Sequence, residues 1–211
     1  MGFVSILSQK SDKIVIFPRN KPFGTQFVID KSEYNYLKER RITMNFNNFT
    51  IKAQEAVQEA VNLTQAHNGQ VIEPIHLLQA VMKVGENVTK FIFQKLGVNG
   101  QQIANVVARQ IESLPKVSGG NPYLSRESND VLQKAVQYSK EMGDEFVSIE
   151  PIILALLVVK STASSILKDA GVSEKELREA INELRKGERV TSQSSEETYQ
   201  SLEKYAINLC E

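Results

Sequence analysis

The chain contains one amphipathic pattern twice, and this duplication limits its fold more than any other feature. Apolar and small residues recur every three or four positions over 53–64, which is typical of one face of an α-helix. A shift of about 75 residues, from Ala53 to Ser128, reproduces the pattern. The first set is Ala53, Ala56, Val57, Ala60, Val61 and Thr64, and the second is Ser128, Val131, Leu132, Ala135, Val136 and Ser139. Two copies of one unit predict two halves packed about a pseudo-twofold axis, with a groove between them.

Each copy continues as four predicted helices. Gly97 and Gly171 end the third helix of each copy, because glycine readily adopts the left-handed conformation that stops a helix. Pro74 and Pro151 both fall in a first helical turn, where a missing N–H costs little. We expect helices at 50–67, 74–83, 88–96 and 100–112 in repeat 1 (about 49–112), and at 125–142, 149–159, 162–170 and 174–187 in repeat 2 (about 123–187). The fold class is therefore predicted to be all-α, with about eight helices.

The two ends of the chain differ from the repeats. Residues 1–43 hold 8 Lys and Arg against 4 Asp and Glu, a net charge of +4, and lack a sustained helical period. We therefore place a boundary near Met44 and a repeat domain over 44–187. Residues 1–43 are either translated leader, with Met44 as the true start, or a real extension whose apolar runs KIVIF and QFVI form a small hairpin. Residues 188–211 are predicted to be a linker followed by the start of a further module.

The composition argues against most catalytic chemistries. Lys plus Arg and Asp plus Glu are both 25, so a whole-chain electrostatic grip on nucleic acid is not expected. One cysteine, Cys210, and two histidines exclude a disulfide framework and a cysteine-based zinc site, and His76 is interpreted as a packed structural residue. The phosphate loop GxxxxGK[ST], HExxH and GxSxG motifs are absent from the sequence. We therefore predict a binding module without cofactor or metal, rather than an enzyme.

The sequence has no apolar run of 18 residues and no signal-peptide pattern at its start. It is therefore interpreted as a cytoplasmic protein with no membrane partner.

Several segments carry a family resemblance. FTIKAQEAVQEAV, QVIEPIHLLQAV and QKLGVN resemble the Clp N-terminal repeat, and YLSRESNDVLQKAVQYSKEMGDEFVSIEPIILALL with LKDAGVSEKELREAI resembles its second copy. The junction LPKVSGG and the tail VTSQSSEETYQSLEKYAINL are similar to the ClpB-type disaggregases. The resemblance implies a substrate-binding domain that engages unfolded or aggregated polypeptides. It also implies tethering to a hexameric ATPase ring whose motor modules are not in this sequence, so we expect the fragment to be a monomer.

The same resemblance implies three substrate-handling residues, Thr50, Asp144 and Glu150. Each also suits an ordinary structural role, as a helix N-cap, a turn residue and a first-turn carboxylate respectively. Pro151 departs from the family, in which leucine commonly follows this glutamate. Phe49, Phe146 and Val147 are candidate residues of an apolar groove between the repeats, although ordinary core packing explains each of them better.

Two other functions remain open at this point. The domain could recognise a folded adaptor protein for a Clp protease ATPase, or it could be a free-standing regulator that docks on a Clp ring. A folded partner would give a saturable, stoichiometric complex, whereas substrate docking is weak and tolerant of sequence.

Overall fold

The computed structural model describes residues 3–7, 13–18, 27–30, 46–116 and 122–194. Contacts divide the chain into two compact units, Met1–Asn45 and Phe46–Glu211. In the first unit, β1 (Phe3–Leu7), β2 (Lys13–Pro18) and β3 (Phe27–Asp30) form an antiparallel sheet with β2 in the middle. The apolar runs KIVIF and QFVI lie largely in β2 and β3. The assignment of residues 1–43 as leader or extension stays a prediction, as do the other domain limits.

The described part of the second unit contains eight α-helices, so the all-α fold class is confirmed. Each helix end lies within two residues of its predicted position, because side-chain caps and glycines define the ends. Repeat 1 consists of α1 (Ile51–Ala66), α2 (Pro74–Val84), α3 (Glu86–Lys95) and α4 (Gly100–Glu112). Repeat 2 consists of α5 (Arg126–Glu141), α6 (Ile149–Val158), α7 (Thr162–Asp169) and α8 (Glu174–Arg185).

Two short parallel pairings join the repeats and reveal the pseudo-twofold axis. Strands β4 (Val71–Ile72) and β5 (Tyr123–Leu124) pair in parallel, and Phe49 forms an isolated parallel bridge with Val147. Adding 75 to the number of Ile72 gives Val147, and subtracting 75 from that of Leu124 gives Phe49. The pseudo-twofold axis therefore relates the Ile72–Leu124 pair to the Val147–Phe49 pair. The duplicated pattern in the sequence is therefore also a symmetry of the fold.

Helix α6 lies at the centre of the second unit. Every residue from Ile149 to Leu157 is buried, as expected for a helix that is apolar on all sides. It packs against α1 and α2 of repeat 1 and against α5, α7 and α8 of repeat 2. The two repeats therefore share one core.

Among the described residues, no single helix is long and apolar enough to cross a membrane. Helices α6 and α7 taken together are long and apolar enough for a membrane span, but the pair is bent by 92° and α6 is a buried core helix.

The histidine at the start of α2 is buried, as the sequence predicted. The Nδ1 atom of His76 accepts a hydrogen bond from the backbone N–H of Glu73 at 3.0 Å, which completes a capping box. Burial, together with the nearby His67, lowers the pKa of His76 from 6.5 to about 4. His76 is therefore neutral in the folded protein at neutral pH.

This lowered pKa predicts a pH-dependent stability. Between pH 6.5 and about 4, the unfolded chain binds a proton at His76 that the folded chain does not, so the free energy of unfolding falls as the pH falls. Glutamine at this position can still close the capping box but does not titrate. We expect urea denaturation at pH 7 and 4.5 to show that wild type loses on the order of 2 kcal/mol more than His76→Gln. Parallel pH profiles for the two proteins would contradict this explanation.

Candidate functional site

The six residues singled out by the sequence come together where α1 and α6 begin. The backbone N–H of Thr50 donates to the carbonyl oxygen of Val147 at 2.9 Å, and the N–H of Val147 donates to the carbonyl oxygen of Asn48 at 2.8 Å. The Thr50 hydroxyl oxygen accepts from the N–H of Ala53 at 3.2 Å and so caps α1. We call this region the α1–α6 face; it comprises Phe49, Thr50, Asp144, Phe146, Val147 and Glu150.

A buried arginine organises the acidic residues of this face. Arg185, at the end of α8, donates from Nε to Oε1 of Glu150 at 3.1 Å and from Nη1 to Oδ2 of Asp144 at 2.7 Å. Its Nη2 donates to the hydroxyl of Ser148 at 2.9 Å. Burial alone would lower the pKa of Arg185, but the charges of Glu150 and Asp144 outweigh it and raise this pKa. One guanidinium thus joins the end of α8 to the start of α6.

The sequence analysis missed Arg185, although a signal was present. Arg185 follows Leu177 and Ile181 at intervals of four residues, so it continues the apolar stripe of α8. A charge on the apolar face of a helix needs a buried partner of opposite sign. Such a position predicts that Arg185 forms a buried ion pair, but it does not predict which acidic residues are its partners.

Most of the α1–α6 face is inaccessible in this structure. Phe49, Thr50, Val147 and Glu150 are no more than 2% exposed, the Asp144 side chain is fully buried, and Phe146 is half-buried. Glu150 also keeps its second oxygen, Oε2, buried without a hydrogen-bond partner among the described residues. Contact between a polypeptide and the buried side chains requires a local opening, so their role in binding stays a prediction.

The segment 188–194, which we call the strap, covers this face. Lys186 and Gly187 both adopt left-handed backbone conformations, with φ of 49° and 82°, and reverse the chain after α8. The N–H of Val190 then donates to Oδ1 of Asp144 at 2.9 Å, and the N–H of Glu145 donates to the carbonyl oxygen of Val190 at 2.9 Å. The sequence analysis treated this segment as linker, yet the structure docks it onto the domain.

A separate cleft of about 520 Å³ opens between the repeats. It is bounded by the start of α2, the end of α4, the first turn of α5 and the turn before α7. Burial, and secondly the charge of Glu127, raise the pKa of Glu73, while a hydrogen bond with Ser125 opposes this shift. The lining residues are Glu73, Pro74, Ile75, Gln110, Leu114, Glu127, Lys160, Ser161, Thr162 and Ser165, and none of the six predicted residues is among them.

The junctions between the second and third helices differ between the two repeats. Gly85 alone separates α2 from α3, and a Cβ there would lie 2.8 Å from the Ile149 Cγ2 atom and 2.9 Å from the Val81 carbonyl oxygen. Three residues, 159–161, separate α6 from α7 at the equivalent junction. The short junction therefore brings Gly85 against Ile149 of α6, whereas the longer junction lines the cleft with Lys160 and Ser161.

In the part of the chain that the structure describes, no group of three or more His, Cys, Asp or Glu side chains could hold a metal ion.

Relatives of this chain are found by sequence. Residues 48–168 match the family described as the Clp repeat (R) N-terminal domain. A protein named chaperone protein ClpB from Bacteroides thetaiotaomicron is 80% identical over 168 residues, which are 80% of this chain and 20% of that protein. The protein of the same name from Porphyromonas gingivalis is 57% identical over 168 residues, with the same coverage. The chain thus spans about one fifth of the length of these relatives.

Solved structures share the fold. The N-terminal domain of Hsp104 from Candida albicans superimposes with a TM-score of 0.64 at 22% identity, over 71% of this chain and 99% of that domain. The N-domain of ClpV from Vibrio cholerae superimposes with a TM-score of 0.56 at 17% identity, over 65% of this chain and 84% of that one. The family match covers more than half of the sequence and runs from the start of α1 into the last turn of α7. This chain belongs to the Clp repeat N-terminal domain family.

Proposed function

We propose that this domain binds unfolded or aggregated polypeptides for a ClpB-like disaggregase in the cytoplasm, as one arm of a hexameric ATPase ring. The observation that carries the proposal is the 80% identity, over 168 residues of this chain, to a protein named chaperone protein ClpB. Under this proposal the domain binds and the ring supplies the ATPase.

The α1–α6 face has chemistry suited to this role. Ile51, the first residue of α1 and next to Thr50 in the chain, is 42% exposed, and Phe146 on this face is half-buried. Unfolded chains expose apolar side chains and unpaired backbone groups, and a small apolar patch with polar edges can bind many of them weakly. Weak binding is sufficient when six copies act on one aggregate, because linked sites raise the effective concentration.

An NMR titration of the full chain with a permanently unfolded polypeptide tests this function. We expect fast-exchange shifts that cluster around Thr50, Asp144 and Glu150, and a several-fold loss of affinity in Thr50→Ala. The matched control is Ser125→Ala, because Ser125 caps α5 as Thr50 caps α1, and loss of either cap costs about 1 kcal/mol of stability. Equal weakening by both variants, or no shifts in a folded protein, would refute polypeptide docking at this face.

A second candidate function is recognition of a defined adaptor peptide or folded adaptor protein. The cleft favours it, since the charged side chains that line it, Glu73, Glu127 and Lys160, would select one partner by its charge rather than accept many. One solved relative is a complex of the ClpV N-domain with a VipB peptide. In this case calorimetry would give a one-to-one saturable complex that Glu127→Gln weakens and Thr50→Ala leaves unchanged. A free-standing regulator would instead form such a complex with a Clp ring.

We expect the isolated chain to be a monomer, because this proposal assigns ring assembly to the ATPase modules. Light scattering after size-exclusion chromatography that reports a hexamer would contradict this expectation.

A further inference from the structure

We propose that the strap is an internal occupant of the polypeptide-binding surface, and that an extended polypeptide with an apolar residue binds by displacing it. This inference rests on the proposed function, since it names the surface at which unfolded chains would bind. It assigns the surface beneath the strap to an extended segment that is recognised mainly through its backbone and one buried apolar side chain, with a side-chain amide donating to Asn47 as Gln193 does.

The strap already binds in the manner expected of an unfolded chain. Its backbone supplies a donor to Asp144 and an acceptor to the N–H of Glu145, both at 2.9 Å, through Val190. A second acceptor, the carbonyl oxygen of Gln193, accepts a hydrogen bond from the N–H of Ile51 at 2.9 Å. Every non-proline residue offers the same backbone groups, so these contacts are available to a wide range of sequences.

One side chain of the strap enters the protein. Val190 is fully buried, whereas the residues at 188, 189 and 191–194 are exposed. The surface therefore selects a single medium-sized apolar residue and tolerates polar neighbours. Such a pattern is common in unfolded polypeptides and gives the weak, permissive binding that the proposed function requires.

The strap also explains how buried residues can affect binding. Asp144 holds the Val190 N–H through Oδ1, and Arg185 fixes Asp144 through Oδ2. Asp144 would thus contact an incoming backbone N–H directly, whereas Arg185 and Glu150 act as positioning residues behind it. The local opening that this face needs is the departure of the strap.

The pseudo-symmetric position in the other repeat lacks the charged pair formed by Asp144 and Arg185. A shift of 75 residues places Gly69 at the position of Asp144, and the shift of 74 places Ile111 at that of Arg185. Neither residue carries a charge. The strap surface is therefore a property of one side of the domain, and it predicts one polypeptide site per chain rather than two.

Two variants of the strap test the inference in the full chain. Val190→Asp places a charge at a buried position and should release the strap. Thr191→Asp is the control, because it introduces the same charge at the neighbouring exposed position. We expect Val190→Asp to bind a permanently unfolded polypeptide about tenfold more tightly than wild type, because the competing occupant is gone, and Thr191→Asp to bind like wild type. Amide exchange at Glu145 and Ile51 should speed up only in Val190→Asp, with thermal unfolding confirming that it is folded.

A crosslink that retains the strap provides the opposite test. The N–H of Ile51 donates to the carbonyl oxygen of Gln193 at 2.9 Å, so Ile51→Cys with Gln193→Cys, in a Cys210→Ser background, places two thiols on either side of a direct backbone contact. The oxidised form should bind the unfolded polypeptide at least tenfold more weakly than the reduced form of the same protein. Equal affinity of wild type, Val190→Asp and the oxidised form would overturn the strap inference while polypeptide binding itself stands.

A synthetic peptide of sequence KGERVTSQSS separates this inference from the proposed function. It should bind in trans to Val190→Asp but not to wild type, and the unfolded polypeptide should displace it. Failure of the peptide to bind Val190→Asp would overturn the strap surface. Peptide binding without any binding of unfolded polypeptide to wild type or variant would instead overturn the proposed function, and the substrate assignment with it.

Discussion

Arg185→Met is expected to lower the free energy of unfolding by about 3–5 kcal/mol, because it leaves two buried carboxylates without their cation. Arg185 pairs with Asp144 and Glu150 at once, and the three side chains are at most 5% exposed. Methionine keeps much of the side-chain volume, so the loss reports the missing charge and hydrogen bonds rather than a cavity. Urea denaturation at pH 7 measures the change.

The surface arginine Arg178 offers a matched control. It pairs with Glu174 one helical turn away, with both side chains more than one third exposed. Arg178→Met should therefore change the free energy of unfolding by less than about 1 kcal/mol, as is usual for exposed pairs. If Arg185→Met costs no more than Arg178→Met, the buried cluster does not stabilise the fold as described.

Removing the carboxylates as well separates charge from packing. In the background of Arg185→Met, the changes Asp144→Asn and Glu150→Gln remove the uncompensated charges, so stability should partly recover. The hydrogen bond from the Val190 N–H to residue 144 can persist with asparagine. If the triple variant recovers nothing, the loss arises from packing around the end of α8.

The repeat architecture could be predicted because its signals are local. Glycines such as Gly97 and Gly171 adopt positive φ just after a helix ends, and Thr50 and Ser125 cap the first helix of each repeat. The alignment of the two repeats, with its shift of 75 residues, could also be predicted from the apolar pattern of the first helix of each repeat. Pro74 is the first residue of α2, whereas Pro151 is the third residue of α6, so the shared Glu-Pro sequence is a coincidence and not a register.

The α1–α6 face could be predicted only in part, because its contacts are long-range. The resemblance indicated Asp144 and Glu150, but nothing in their local sequence points to Arg185, 35 positions beyond Glu150. The strap was interpreted as a linker from its polar composition. The polar strap residues are exposed, whereas the burial of Val190 depends on a turn at Lys186 and Gly187 and on a partner at Asp144.

Truncation of the central helix should have an effect of similar size to the loss of Arg185. Ile152 is fully buried in α6, so Ile152→Ala should lower the free energy of unfolding by about 2–5 kcal/mol, through lost apolar burial and the cavity left behind. Ile152→Val removes one methyl group from the same site and should cost about 0.5–1.5 kcal/mol. If the two variants lose similar amounts of unfolding free energy, the side chains around α6 must move in to fill the cavity that alanine leaves.

The pseudo-twofold axis extends this prediction to the other repeat. Leu77 in α2 corresponds to Ile152 under the shift of 75 residues and is equally buried, so Leu77→Ala should also cost about 2–5 kcal/mol. Because α6 packs on α1 and α2 as well as on its own repeat, either variant should destabilise both repeats together. Amide exchange in increasing urea checks this, since protection of α2 and α6 should be lost at one denaturant concentration in each variant. Loss of protection in only the substituted repeat would show two independent folding units, and a shared core would then no longer explain the fold.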